Sequence, residues 1–221
     1  PPFDVAPKLL AAKGRIDANA VLDMTVSSDT IGGSSGSPAI NAAGEIIGAN
    51  FDSTAFAGDM VLTSADIKTA AFGAGNDDVT LNGQADSADS SYDLGEGDNT
   101  LTSTVDLAGS IVAGSGDDTV EIHNDGDFNP SVLATGSIDL GEGNNDVHVD
   151  GDVLGQITVG SGDDHVAVGD NVTGAASIDL GDGDNLMDVA YDVDGDATVA
   201  FGTGAGELNI GDDIGEIGRA H

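Results

Sequence analysis

A Gly-x-Gly turn returns seven times along this chain, as Gly73-Ala74-Gly75, Gly95-Glu96-Gly97, Gly114-Ser115-Gly116, Gly141-Glu142-Gly143, Gly160-Ser161-Gly162, Gly181-Asp182-Gly183 and Gly202-Thr203-Gly204. Successive copies lie 22, 19, 27, 19, 21 and 21 residues apart. A period near twenty residues is that of a solenoid, because one such unit cannot bury its own apolar face and must stack on its neighbours.

The flanks of the turn say what is stacked. Around Gly160 the chain reads Ile157-Thr158-Val159 before the turn and His165-Val166-Ala167-Val168 after it, apolar alternating with polar. That is the period of a strand with one buried face. Ile111/Ala113 with Val120/Ile122, Ile138/Leu140 with Val147/Val149, Ile178/Leu180 with Met187/Val189 and Val199/Phe201 with Leu208/Ile210 repeat it. Ala70/Phe72 with Val79/Leu81 and Tyr92/Leu94 with Leu101/Ser103 keep most of it. Each coil therefore holds two short strands and two turns. The looser second turn runs through Gly151-Asp152-Val153, Asn171-Val172, Asp192-Val193 and Asp213-Ile214. Seven coils at about 4.8 Å each would make a rod of roughly 30 Å.

Charge narrows the partners. The 221 residues carry a formal net charge of −35, and residues 71–221 alone hold 32 acids against the single base Arg219. Such a surface repels nucleic acid and anionic membrane and attracts cations. No apolar run is long enough to span a bilayer, and the absence of cysteine excludes disulfides and thiolate metal sites. The chain starts Pro-Pro-Phe without an initiator Met, so a longer parent chain is expected.

The first seventy residues have another character. A short helical stretch is expected at residues 8–13, ending at Gly14. Ile31-Gly32-Gly33-Ser34-Ser35-Gly36-Ser37-Pro38 then leads into Ala39-Ile40, a turn at residues 41–44, and Glu45-Ile46-Ile47-Gly48-Ala49-Asn50-Phe51-Asp52. A loop of small residues lets backbone amides converge on one hydroxyl, as an oxyanion site requires. A plain Gly/Ser linker would have the same composition. This run resembles the nucleophile region of chymotrypsin-fold serine peptidases, and more closely the C-terminal part of the bacterial dipeptidyl peptidases 7 and 11. The resemblance covers about 56 residues. It implies a fragment of a chymotrypsin-like β-barrel, Ser35 as nucleophile, the amides of Gly33 and Ser35 as the oxyanion site, and a peptide substrate. In that fold the catalytic His and Asp precede the Ser, whereas the first His here is His123. As given, the chain lacks the base that would take the Ser35 proton.

Val159 to Ala167, by contrast, resembles the repeats-in-toxin nonapeptide Gly-Gly-x-Gly-x-Asp-x-apolar-x. That resemblance implies Ca2+ between stacked turns, held by turn carbonyls and the sixth-position Asp, here Asp77, Asp118 and Asp164. Asn99, Asn145 and Asn185 occupy the sixth position in the copies between. The residue between the glycines is acidic in those same copies, as Glu96, Glu142 and Asp182, and Asp98, Asp117, Asp163 and Asp184 supply the fifth position. The first Gly of the nonapeptide is replaced by an apolar residue, so a metal-free solenoid whose Asp and Asn cap backbone amides stands beside the calcium reading.

The sequence thus reads as all-β: a parallel β-solenoid of about 20-residue coils over residues 71–221, a junction or solenoid cap over 57–70, and a peptidase remnant over 1–56. Three functions are expected of it. The first is a calcium-binding acidic module of a secreted or surface bacterial protein, a structural or adhesive appendage that touches cell-surface or matrix components. The second is an active serine dipeptidyl peptidase, if a full-length chain supplies His and Asp; the third is a metal-free structural solenoid. Recognition of polysaccharide or ice ranks last, since the outward strand positions mix Thr, Asp, His and Ala.

Overall fold

The computed structural model describes residues 49–64, 67–83, 85–123 and 132–211. Ser35, Gly33, the stretch at residues 8–13 and the expected barrel fragment before residue 49 lie outside them. Among the described residues every regular element is a strand. In chain order these are β1 (Ala49–Asp52), β2 (Val61–Ser64), β3 (Ile67–Ala71), β4 (Asp78–Leu81), β5 (Ser91–Asp93), β6 (Thr100–Ser103), β7 (Ser110–Val112) and β8 (Thr119–Ile122). They continue as β9 (Ser137–Asp139), β10 (Asp146–Val149), β11 (Gln156–Thr158), β12 (His165–Val168), β13 (Ser177–Asp179), β14 (Asn185–Val189), β15 (Thr198–Ala200) and β16 (Gly206–Ile210).

The odd-numbered strands form one eight-stranded sheet and the even-numbered strands another, each in order along the stack. All neighbours are parallel and in register, for example Ile138 beside Ile157 beside Ile178 in one sheet and Val120 beside Val147 beside Val166 in the other. The alternation explains this register, since a slip of one residue would turn every apolar side chain outward. Ile157, Val159 and Val166 are fully buried between the sheets, and their equivalents from Phe72 to Val189 are buried with them. Parallel sheets covered on one side by each other suit the β-branched inward row. Tyr92 is the one buried phenol; its hydroxyl donates to the Ile67 carbonyl at 2.9 Å, and burial pushes its pKa up to about 12.

The stack holds eight coils, one more than the Gly-x-Gly turns number. The additional coil is β1 with β2, and its corner reads Phe56-Ala57-Gly58 where the others read Gly-x-Gly. It is nonetheless tied to the next coil: the Ser53 N–H donates to the Ala71 carbonyl at 2.7 Å, and the Phe51 and Phe72 rings meet at 5.3 Å between centroids. Within the span 57–70, expected as a junction or cap, Ser64 ends β2 and Ile67 begins β3. Inward-facing Ile67 and Ala70 place β3 in the odd sheet, which absorbs an irregular step between Ala49 and Asn50 on its neighbour.

Candidate functional site at the Gly-x-Gly corners

Three columns of side chains run along the stack beside the glycines. The innermost is the sixth position, where Asp77, Asn99, Asp118, Asn145, Asp164 and Asn185 are all buried, none more than 2% exposed. Each offers a side-chain oxygen to the main chain of the coil before it. Oδ1 of Asn99 accepts the Asp77 N–H at 2.9 Å, Asp118 that of Asn99 at 2.9 Å, and Asn145 that of Asp118 at 3.0 Å. Asp164 then accepts from Asn145 at 2.8 Å and Asn185 from Asp164 at 2.9 Å, while Asp77 reaches back to the Met60 N–H at 2.8 Å.

The alternation of Asp with Asn follows from burial. Carboxylates at every level of a dry column would repel at strand spacing, where the low dielectric strengthens their interaction. An intervening amide removes half the charges and adds donors: Nδ2 of Asn99 bonds Asp118 Oδ1 and the Gly97 carbonyl, both at 2.9 Å, and Nδ2 of Asn145 bonds the Val159 carbonyl at 2.9 Å. The carboxylates still lack full compensation. Oδ2 of Asp118 and of Asp164 is buried with no hydrogen-bond partner. Burial pushes the Asp118 carboxyl up to about 6 and raises those of Asp77 and Asp164.

The fifth position forms an exposed column that runs in the opposite sense. Here the side-chain oxygen accepts from the following coil: Asp59 from the Asn76 N–H, Asn76 from Asp98, Asp98 from Asp117, Asp117 from Asn144, Asn144 from Asp163 and Asp163 from Asp184, at 2.7 to 3.0 Å. In the third column, between the glycines, two of the acids pair with a hydroxyl on the next coil. Glu96 accepts from the hydroxyl of Ser115, and Asp182 accepts from Thr203 Oγ1 at 2.8 Å. The Thr203 N–H and hydroxyl hold the Asp182 carboxyl below its ordinary range.

The repeats-in-toxin arrangement makes specific demands on these corners. Calcium there draws on turn carbonyls and sixth-position carboxylates, and it requires six to eight oxygens. In this chain the corner carbonyls are already used between coils: Gly95 accepts from the Gly114 N–H at 2.8 Å, Ser115 from Gly97 at 2.8 Å, Ser161 from Gly143 at 2.8 Å and Asp182 from Gly162 at 2.9 Å. Asp77, Asp118 and Asp164 face into the stack. The corner carbonyls and one oxygen of each sixth-position carboxylate thus already serve contacts between coils, while Oδ2 of Asp118 and of Asp164 has no partner. Glu96, Asp98, Asp117, Glu142, Asp163, Asp182 and Asp184 do face outward, with one carboxylate oxygen of Glu96, Asp98, Asp117, Asp163, Asp182 and Asp184 engaged by a neighbouring coil.

Two features of the outer faces were hidden in the sequence. On the odd sheet, Ser91, Ser110, Ser137, Gln156, Ser177 and Thr198 stand in one register column, with Ser110 Oγ donating to Ser91 Oγ at 3.1 Å. On the even sheet His148 and His165 face outward as expected, but they are paired with carboxylates: His148 Nε2 lies 3.1 Å from Asp150 Oδ1, and His165 lies between Asp146 and Asp188 at 3.3 and 3.1 Å.

No curated protein and no solved structure registers as similar to the chain. The Peptidase S46 family model matches residues 1–61, so the N-terminal resemblance to that peptidase family reaches through β1 to Val61, the first residue of β2.

Proposed function

We propose that the solenoid is a non-catalytic, self-supporting acidic appendage of a secreted S46-type serine peptidase, whose nucleophile segment with Ser35 and Gly33 precedes it. The hydrogen-bonded columns carry this reading, because the sixth-position main-chain N–H of each coil from Met60 to Asp164 finds an Asp or Asn oxygen on an adjacent coil. A corner tied in this way gains little from an inserted cation. Calcium is then a partner of the outward columns, where Asp98 with Asp117 and Asp163 with Asp184 are consecutive carboxylates along the stack. Its effect is screening of repulsion, which magnesium shares. Peptide-bond cleavage belongs to a longer chain that supplies His and Asp. A rigid acidic rod joined directly to the peptidase segment suits a spacer or an attachment to cell-surface or matrix components.

Circular dichroism and thermal melting of the full chain in chelator, in excess calcium and in excess magnesium test the reading. The expected result is the same β-spectrum in all three, with a rise in Tm of no more than about 5 °C that calcium and magnesium produce alike. A coil-to-β transition produced by calcium and not by magnesium would refute it and restore the interleaved metal site.

A further inference from the structure

The first coil belongs to two things at once. β1 and the corner that follows it lie wholly inside the span matched by the Peptidase S46 model, which runs to Val61. Yet β1 pairs with β3 and β2 with β4 as ordinary solenoid strands. This coil also leaves an open face. Among the described residues β1 and β2 each have a single neighbour, as the terminal strands of their sheets. Successive main-chain groups of a parallel strand turn to opposite sides. The Ser53 N–H and the Met60 and Ser64 carbonyls bond to the second coil, so the main-chain groups of Asp52, Val61 and Thr63 turn away from it.

The side chains of this end are apolar. Phe51 and Leu62 occupy the inward rows as register partners of Ala70 and Val79, yet they are only half-buried where Ala70 and Val79 are closed off. Phe56 in the corner and Val61 at the start of β2 are 50% and 77% exposed. A free solenoid end needs a polar cap, and uncovered strand edges invite pairing. The corner excludes one kind of cover. A Cβ on Gly73 would overlap the Phe56 carbonyl oxygen, and one on Gly95 that of Gly73, because each corner sits directly on the one before it. Phe56 holds the same place in the first coil and carries a full side chain. Another Gly-x-Gly coil, including the last coil of a second copy, therefore cannot stack there in the same way.

We propose that the open end of the first coil is the docking face for the peptidase-like segment that leads into it, residues 1–48, so that the two modules share this coil instead of meeting through a linker. The inference rests on the reading of the rod as a peptidase appendage and adds where the two parts touch. Residues 1–48 and β1 lie in one matched span, which makes that segment the nearest occupant in sequence as well as the one of matching origin. Charge permits the contact. Residues 1–48 hold three of the chain's five bases, Lys8, Lys13 and Arg15, against five acids, so they escape most of the repulsion that the rest of the chain would exert on its own kind. The face offers the main-chain groups of Asp52, Val61 and Thr63 and the apolar side chains of Phe51, Phe56, Val61 and Leu62.

Amide hydrogen exchange of the full chain in chelator tests the docking. The outward amides of Asp52, Val61 and Thr63 are expected to exchange about 100-fold or more slowly than free peptide. Val61→Asp puts a charge on the face and should cut the protection at Asp52 and Thr63 to about tenfold or less, opening residues 1–48 to exchange while residues 67–211 keep their protection. Val112→Asp places the same charge at an exposed apolar position of the odd sheet away from this end, and should change neither. Free-peptide exchange at Asp52, Val61 and Thr63 in the wild type, protection that Val61→Asp leaves intact, or an equal loss in Val112→Asp would each overturn the assignment. Fast exchange confined to those amides removes the docking and leaves the appendage reading standing, whereas fast exchange through residues 67–211 in chelator removes both.

Discussion

Gly160→Ala is expected to destabilise the solenoid by about 3 kcal/mol or more, while Gly174→Ala costs about 1 kcal/mol. Both glycines have positive φ, 84° at Gly160 and 68° at Gly174, so both substitutions incur the left-handed strain of an L-residue. They differ in what the new methyl meets. A Cβ on Gly160 would overlap the carbonyl oxygen of Gly141 on the preceding coil, whereas nothing lies within 4 Å of one on Gly174. The overlapped atom is backbone and it accepts the Ser161 N–H at 3.3 Å, so relief requires the fifth and sixth coils to part. In a stack whose stability is a sum of nearest-neighbour terms, a break at one interface uncouples the two sides. Thermal melting should therefore show Gly160→Ala as a Tm lower by roughly 6 °C or more, with a broadened or two-step transition, and Gly174→Ala as a single transition shifted by a few degrees. Equal shifts for the two variants would mean that the corners do not touch as closely as the hydrogen-bonded stack requires.

The same closeness explains why the solenoid was legible in the sequence. Glycine at a corner and an apolar residue at every second strand position are demanded locally, so Val159-Gly160 and its equivalents identify strands, corners and inward rows without knowledge of the rest. Coil one escaped because Phe56 replaces the first corner glycine; what it retains is Ala57-Gly58-Asp59, and Asp59 joins the fifth-position column. The fate of the carboxylates was less accessible. Sequence spacing places Asp117 and Asp118 side by side, but only the fold turns Asp118 into the stack and leaves Asp117 in water. Alternation of Asp with Asn at the sixth position was the available signal. It reflects a buried hydrogen-bonded column, in which Asp and Asn cap backbone amides of the neighbouring coil. The His–carboxylate pairs at the ends of β8 and β10 were invisible for a different reason. The 27-residue interval between Gly114 and Gly141 hides the register that sets His123 beside Asp150.

Lowering the pH from about 7 to about 4.5 should stabilise this protein, against the usual behaviour of carboxylate-rich folds. The ordinary Asp pKa is 3.8, and burial in the sixth-position column lifts that of Asp118 to about 6, with Asp98 and Asp117 adding repulsion. Between those two values the folded chain holds a proton that the unfolded chain has released. Stability therefore falls as pH rises through this window, and it is recovered as pH is lowered. A lift of about two pH units corresponds to about 3 kcal/mol at most for Asp118, of which about 2 kcal/mol is recovered by pH 4.5. Asp77 and Asp164 are raised by the same burial and act in the same direction. The opposing groups are Asp52, Asp182 and Asp188, whose carboxyls are held low by Thr54 in the first case, by Thr203 in the second and by Asn209 with His165 in the third. Their contribution is lost only below the ordinary Asp range, so it does not cancel the gain above it. Denaturant unfolding at several pH values measures the slope, and Asp118→Asn isolates its source. The variant keeps an oxygen for the Asn99 N–H but cannot titrate, so its gain over the same pH range should be smaller by about 2 kcal/mol. A wild-type stability that is flat or falls on acidification, or a slope that Asp118→Asn leaves intact, would show that the sixth-position carboxylates are compensated by something other than a proton.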